Sequence, residues 1–275
     1  MRKILTVKEL ITILLDYNMD ALVYTNANGV PTGISLSNVC YGGGGEGVTK
    51  KDCEELIFDI QDEENECIES ASEQFVDPYN GHTYVDLGLP SGTLWATMNV
   101  GANNETDTGL YFAWGETQGY TDASTKAFSW EDYKWSNNGS RSDFTKYNET
   151  DGKTQLDLED DAAAVNWGGK WHMPTEAQCR ELFNTDNCTN EWTTVNGVNG
   201  RLFTSVINGK TLFIPAAGLC GGCIVYNVGH SGYVWTSSLN STIVSDAWDI
   251  FFGSHVRGVG YSYRCFGRAV RAVVG

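Results

Sequence analysis

Short apolar runs separated by Gly, Asn and Ser fill the chain from Tyr79 to its last residue, Gly275. Gly occurs 31 times in 275 residues and aromatic residues make up 12% of the chain, whereas Pro occurs 5 times. Gly and Asn are typical turn residues, and aromatic side chains favour strands. The pattern therefore predicts many short strands joined by turns, with little helix.

Two helices are predicted within this region. "DLEDDAAAVNWGG" (157–169) favours a short helix that Gly168 and Gly169 stop, and its acidic residues suit a first turn. "MPTEAQCRELF" (173–183) favours a second helix with Thr175 as its N-cap. We expect its inward-facing residues to be Ala177, Leu182 and Phe183.

Strands account for most of the rest. The segments 200–206 and 210–218 flank Asn208-Gly209, a typical hairpin turn, so they are expected to pair. Further strands are predicted as two short ones within 84–101 and as single ones at 233–238, 246–252 and 268–274. The terminal strand, with Val270 and Val273, is expected to lie beside the first strands, with Arg271 in a scaffold salt bridge.

The first 60 residues predict a small N-terminal α/β module. Thr6 and Glu9 form a capping box before a helix, and strands are expected at 21–25, 33–39 and 53–60, with a Gly loop at 42–45. Residues 61–78 are rich in acidic side chains and predict a solvated linker. The second domain then spans 79–275.

Charge and hydropathy limit the partners. The formal net charge of −17 argues against nucleic acid, because phosphate binding needs clustered Lys and Arg. No apolar run is long enough for a membrane span, so membrane insertion is not expected. No signal peptide is evident, which indicates synthesis in the cytoplasm, and the eight Cys are expected to be free thiols.

A series of ordered motifs points to a family. "YVDLGLPSGTLWATMNVGA", "GLYFAWGET", "LDLEDDAAAVNWGGKWHMPT", "FIPAAG", "WTSS" and "VRAV" follow in the order found in the fibrobacter succinogenes major paralogous domain, which residues 79–275 resemble. Two departures are His172, where the family usually has a basic residue, and "VRAV" in place of "VRPV". The resemblance implies an α+β, C-type lectin-type fold of the formylglycine-generating-enzyme kind, with two helices on small twisted antiparallel sheets.

The same resemblance implies a function. Related proteins include the variable proteins of diversity-generating retroelements, whose C-terminal ligand-binding residues are rewritten by adenine mutagenesis. Asn codons that end in a pyrimidine cannot then become Lys, Glu, Gln, Met or Trp. The first 210 residues contain 10 Lys, 17 Glu, 5 Gln and 4 Met, whereas Thr211–Gly275 contains none of these four types. The alternative explanation is that buried strands avoid such residues in any protein.

We therefore expect a variable region at about 219–266 on a fixed scaffold, with Tyr, Ser, Gly, His and Arg forming the contact surface. Trp235 matches a family motif and is expected to be scaffold. Trp248 cannot arise from a mutagenised Asn codon, so it is either scaffold or outside the mutagenised set. The predicted ligand-binding residues are Tyr226, His230, Asp249, Phe251, His255, Arg257, Tyr261, Tyr263, Cys265 and Phe266.

The expected partner is a protein or glycan on a cell surface. The chain itself would be a phage receptor-binding protein, carried in the virion, or a bacterial adhesin. The oligomeric state is left open. The alternatives are a lectin-like adhesin without diversification and an enzyme of the formylglycine-generating type. Because no Ser/His/Asp order and no matching Cys motif occurs, we predict no enzyme activity and no cofactor.

Three further features have ordinary explanations. "CGGC" (220–223) has redox or zinc spacing but is expected to be a loop with free thiols. "DLEDD" (157–161) lacks the spacing of a calcium loop, so no metal is predicted there. Most of the Trp residues are expected in the core.

Overall fold

The computed structural model describes residues 22–25, 31–35 and 79–275. The chain divides into two compact units, Met1–Ser72 and Glu73–Gly275. In the first unit, β1 (Leu22–Thr25) pairs antiparallel with β2 (Pro31–Ser35). This confirms the predicted hairpin and starts its second strand two residues earlier than expected. The predicted helix after Thr6, the Gly loop at 42–45, the strand at 53–60 and the acidic linker lie outside the described residues.

The described part of the second unit consists mostly of small antiparallel sheets with two helices, which is compatible with an α+β fold. The helices are α1 (Ala162–Trp167) and α2 (Glu176–Phe183), and a 3₁₀ turn (Leu158–Asp160) precedes α1. The strands are β3 (Tyr84–Asp86), β4 (Leu94–Ala96), β5 (Cys188–Val195), β6 (Val198–Ser205), β7 (Thr211–Pro215), β8 (Leu219–Gly221), β9 (Ile224–Tyr226), β10 (Ser231–Leu239), β11 (Asp246–Gly253), β12 (Arg257–Tyr263) and β13 (Val273–Val274).

Side-chain caps begin both helices. The Asp161 carboxylate accepts hydrogen bonds from the backbone N–H groups of Ala163 and Ala164 at the start of α1. Thr175 and Gln178 form a reciprocal capping box at the start of α2, which confirms the predicted N-cap. The prediction that Ala177 faces inward is wrong: Ala177 is exposed, and Cys179 is buried with Leu182 instead.

The end of the chain closes the domain. β13 pairs with β4, and β4 pairs with β3, which confirms that the terminal strand lies beside the first strands of the domain. The regular strand is shorter than predicted, but the segment before it continues along the same neighbours: Val100 N donates to Val270 O and Ala96 N to Ala272 O. Arg271 is buried here and donates to Asn99 Oδ1 and Ala96 O. The expected salt bridge is therefore wrong.

A second sheet has the order β5-β6-β7. β6 and β7 pair across the Asn208-Gly209 turn, as predicted. β5 was not predicted; it pairs with β6 across Asn196-Gly197, and both of these residues have positive φ, as a tight hairpin turn requires.

The third sheet has the order β10-β11-β12. Its inner face carries Val234, Ile250 and Phe252, which pack in one core cluster with Cys179 and Leu182 of α2. The residues between these point to the outer face, where Tyr233 and Phe251 form a cross-strand pair. The hairpin β8-β9 meets this sheet where Gly218 pairs with Gly232.

Large aromatic side chains fill the core of the unit. Trp95, Trp114, Trp171 and Trp235 are fully buried, and Trp130 and Trp167 are buried as well, which confirms that most of the Trp residues lie in the core. The Trp235 indole donates to Phe112 O, and the Trp114 indole donates to Thr236 O. The indole N–H groups of these two residues are thereby satisfied inside the core.

Candidate ligand-binding surface

The exposed surface of residues 211–275 differs in composition from the rest of the domain. Of the 53 exposed residues in 79–210, 11 are Lys, Glu or Gln, whereas none of the 17 exposed residues in 211–275 is Lys, Glu, Gln or Met. Burial therefore does not explain the whole deficit. Large hydrophobic or aromatic residues make up 7 of these 17: Ile224, Tyr226, Val228, Ile243, Val256, Tyr261 and Tyr263. Exposed apolar surface of this kind is typical of interaction sites.

The charge of this surface also differs from that of the chain. The formal net charge is −17, yet no exposed residue of 211–275 has a carboxylate side chain. The two Asp residues of the segment that lie within the third sheet, Asp246 and Asp249, are both buried. Arg257, His230 and His255 are exposed, so this surface is neutral to positive on an acidic protein.

Three of the predicted contact residues form an aromatic patch at the end of β12. A Cβ atom on Gly221 would lie 3.5 Å from the ring of Tyr226 and 3.6 Å from the ring of Phe266. The Phe266 ring lies 5.7 Å from the ring of Tyr263, measured between centroids. The patch therefore joins the β8-β9 hairpin to the third sheet.

Three other predicted residues line a cleft at the beginning of β12. The cleft has a volume of about 490 Å³ and is lined by Phe183, Phe251, His255, Val256, Arg257 and Gly258. His230 is close to the same turn, because its carbonyl oxygen lies 3.4 Å from the position of a Cβ atom on Gly253. Six residues of extended strand, roughly 20 Å, separate this cleft from the aromatic patch.

Asp249 and Cys265 do not belong to the exposed surface. The Asp249 carboxylate is buried on the outer face of β11, where it forms an ion pair with the equally buried Arg268. The Arg268 guanidinium also packs over the rings of Tyr233 and Trp235, at 4.7 and 4.6 Å. Cys265 is buried in an aromatic cluster. The expectation that these two residues contact a ligand is corrected: both are part of the scaffold.

Tyr261 lies on the inner face of β12, between the cleft and the aromatic patch along the strand, and does not line the cleft. Its ring meets that of Trp248 edge to face at 5.5 Å, and the Arg180 guanidinium of α2 lies 5.2 Å from the Trp248 ring. Trp248 therefore connects the sheet to the helix. This structural role is consistent with the fact that mutagenised Asn codons cannot encode Trp. Tyr261 covers the edge of this contact and is itself 49% exposed.

The acidic segment before α1 surrounds a lysine. Ligand oxygens of Asp157, Glu159 and Asp160 lie within 4.8 Å of one another. The ammonium of Lys146 is 2.7, 3.0 and 2.6 Å from these three carboxylates, so it takes the place that a cation would need. Partial burial acts to lower the pKa of Lys146, but hydrogen bonds from the ammonium to the three carboxylates raise this pKa above its ordinary value.

The two cysteines of "CGGC" differ in environment. Cys220 is buried and Cys223 is exposed, and both are free thiols. Burial, with a smaller contribution from Asp122, raises the pKa of Cys220 to about 12. Burial likewise raises the pKa of Cys265 to about 12. Such thiols are protonated at neutral pH and are poor nucleophiles and metal ligands.

The histidines outside the C-terminal segment make structural contacts. The His82 ring stacks on Trp167 with centroids 3.8 Å apart. The Nδ1 atom of His172 is 2.9 Å from Met173 O, and its Nε2 atom is 3.2 Å from Gly275 O. His172 thus ties the loop before α2 to the chain end.

No protein-family model matches the chain, and comparisons with curated proteins and with solved structures find no similar protein. Among the described residues, neither helix is long and apolar enough to cross a membrane.

Sequence reasoning missed several residues of this surface. Phe183 of α2 packs against the core as predicted, but it also forms one wall of the cleft, which was not expected. Ile224, Val228 and Val256 are exposed apolar residues next to predicted contacts. For Val228 and Val256 the signal in the sequence was apolar character in turns, where polar residues are usual, whereas Ile224 lies in β9.

Proposed function

We propose that the chain is a ligand-binding protein whose exposed C-terminal surface has been diversified by a retroelement. In this proposal residues 79–275 have a C-type lectin-type fold, and the partner is a protein or glycan on a cell surface. The observation that carries the proposal is the composition of the exposed residues of 211–275. They include none of the side chains that mutagenised Asn codons exclude, although 11 of 53 exposed residues in 79–210 are Lys, Glu or Gln.

The distribution of these residues supports binding as the mechanism. Aromatic and apolar side chains stand on strands whose backbone hydrogen bonds do not involve them, so the side chains can change while the sheet is kept. Tyr226, Tyr263 and Phe266 offer rigid contact area, and Arg257 offers directed hydrogen bonds. The buried residues beneath them, such as Trp235 and Arg268, provide the scaffold.

The flanks of the gene test this proposal most directly. We expect a reverse-transcriptase gene nearby and a near-copy of the last ~150 bases (about 50 codons) that differs mainly at template adenines. Across independent isolates, the exposed codons within 219–266 should vary, whereas the codons of Trp235, Trp248 and Arg268 should not. Invariant exposed codons in isolates of different origin, with no template copy, would contradict diversification.

Two alternatives remain, and each has its own test: comparison of isolates for the first and a peptide-oxidation assay for the second. A lectin-like adhesin without diversification would use this surface with one fixed sequence. An enzyme of the formylglycine-generating type needs a pair of reactive thiols, and thiol-dependent oxidation of a Cys-containing peptide would reveal it. The raised pKa values of Cys220 and Cys265 disfavour that reaction.

A further inference from the structure

Two arginines, Arg201 and Arg257, lie near the end of the third sheet, and Arg257 lines the cleft. Arg201 of β6 is 2% exposed, and its Nη2 donates to Gly253 O at 2.6 Å. Gly253 follows Phe252, the cross-strand partner of Arg257. Arg201 and Arg257 therefore lie on either side of the same turn of the chain.

Neither guanidinium has an anionic partner in the described part of the chain. Arg201 donates from Nη1 to the amide oxygen of Asn190, and its buried Nε has no hydrogen-bond partner. No carboxylate of the described residues lies within 4.0 Å of Arg201 or Arg257. Burial lowers the pKa of Arg201, and the nearby charge of Arg257 lowers it further. The buried charge of Arg201 has no counterion among these residues, and the exposed Arg257 adds a second positive charge nearby, so the two together attract an anion.

The walls of the cleft define the rest of the ligand. Phe183 and Phe251 supply aromatic surface, Val256 supplies aliphatic surface, and Gly258 leaves open space beside the Phe251 ring. Arg257 is the charged residue that lines the cleft, and a guanidinium binds a carboxylate through two parallel hydrogen bonds. We propose that this cleft binds a carboxylate that stands beside an apolar side chain, as in an acidic, aromatic-containing segment of a protein partner.

This inference rests on the proposed function and specifies its partner. Arg201 and Phe183 precede residue 211, so they belong to the fixed part of the domain. Phe251, His255 and Arg257 belong to the varied part. The fixed positive charge of Arg201 favours anionic partners in every variant, and Arg257 makes the direct contact in this one.

N-acetyl-L-phenylalanine is a suitable probe, since it joins a carboxylate to one aromatic ring. Its amide has the same shape without the charge. The full chain is titrated with each compound while the imidazole resonances of its four His are followed by NMR, and His255→Asn assigns the His255 signal. We expect the acid to shift the His255 signal with a Kd of about 1 mM and the amide to bind at least about tenfold more weakly.

Two variants test how much each arginine contributes to binding of the carboxylate. Arg257→Gln should weaken binding of the acid about tenfold, and Arg201→Met about threefold, since Arg201 acts at longer range. Arg141→Gln, which changes an exposed Arg outside the C-terminal segment, is the matched control and should leave the Kd unchanged. Because Arg257 is exposed, its variant is expected to fold even if the Arg201 variant does not.

Three results would overturn the inference: equal binding of acid and amide, no shift of the His255 signal at 20-fold the expected Kd, or displacement of the acid by inorganic phosphate at equal concentration. The last result would assign the site to phosphate-bearing ligands instead. None of these results bears on diversification, which the flanks of the gene test separately.

Discussion

Removal of the Asp249 carboxylate should destabilise the domain strongly, although Asp249 lies in the middle of the segment expected to vary. Asp249 and Arg268 are each 2% exposed and form a direct ion pair. Burial raises the pKa of Asp249 and lowers the pKa of Arg268, and their mutual attraction opposes both shifts. In Asp249→Ala the Arg268 guanidinium stays buried without its counterion.

The expected loss is about 3–5 kcal/mol in the free energy of unfolding, the usual effect of breaking a buried pair. With an m-value of roughly 2 kcal/mol/M, this loss lowers the urea midpoint by about 2 M. Replacement of both partners in Asp249→Leu/Arg268→Met should recover most of the loss, because it removes the uncompensated charge. A double-mutant cycle that adds the single variants Asp249→Leu and Arg268→Met then gives the coupling free energy of the pair.

His255→Ala is the control, because His255 is exposed in the turn after β11 and should change stability by less than about 0.5 kcal/mol. A loss below about 1 kcal/mol for Asp249→Ala, at an unchanged m-value, would refute the buried-pair argument. Such a small loss would also mean that Asp249 can be replaced without loss of the fold, as expected of a diversified position.

Three further predictions concern groups outside the binding surface. Among the five described cysteines, native protein treated with iodoacetamide should be alkylated at Cys223 alone, as peptide mass spectrometry would show; labelling of Cys220 at the same rate would contradict its burial. The free energy of unfolding should fall as pH rises from about 9 to about 12. The pKa of the Cys220 and Cys265 thiols is near 9 in the unfolded state and about 12 in the folded state, so the folded state holds more protons in this window. The urea midpoint should therefore fall less between pH 8 and 10.5 in the double variant Cys220→Ala/Cys265→Ala than in the wild type. Calcium should not change the melting temperature of the wild type, whereas Lys146→Met should lower it and make it rise with added calcium, since Lys146 contacts all three carboxylates while Lys134 and Lys153 contact one each.

Local signals in the sequence predicted the elements that local chemistry determines. The Thr175 cap of α2 and the Asn208-Gly209 hairpin each depend on residues a few positions apart, and both are confirmed. The inward face of α2 was assigned wrongly at Ala177, because a helix of eight residues is too short for a clear periodicity. Its orientation is set instead by Cys179 and Leu182, which pack against the third sheet.

Depth below the surface was the property that the sequence did not reveal. Asp249 and Phe251 are alternate residues of β11 on the same face, and both looked equally suited to contact a ligand. Asp249 is buried because Arg268, 19 residues later, crosses that face from a neighbouring segment. Cys265 is buried by aromatic residues that precede it by more than 100 positions, such as Phe128 and Tyr133. Such non-local contacts leave no periodic pattern in the sequence.

The structure also implies that positions on the surface are not independent of one another. The Phe251 ring lies across β12, and a Cβ atom on Gly260 would come within 2.9 Å of it. A side chain at 260 therefore requires the Phe251 ring to shift, whereas a small residue at 251 removes the conflict. If mutagenesis draws the two codons independently, combinations that are large at both positions need a rearrangement of the side chain at 251 and should be under-represented. Isolates should consequently show a negative correlation between side-chain volume at 251 and at 260, which neither mutagenesis nor selection for a ligand alone would produce.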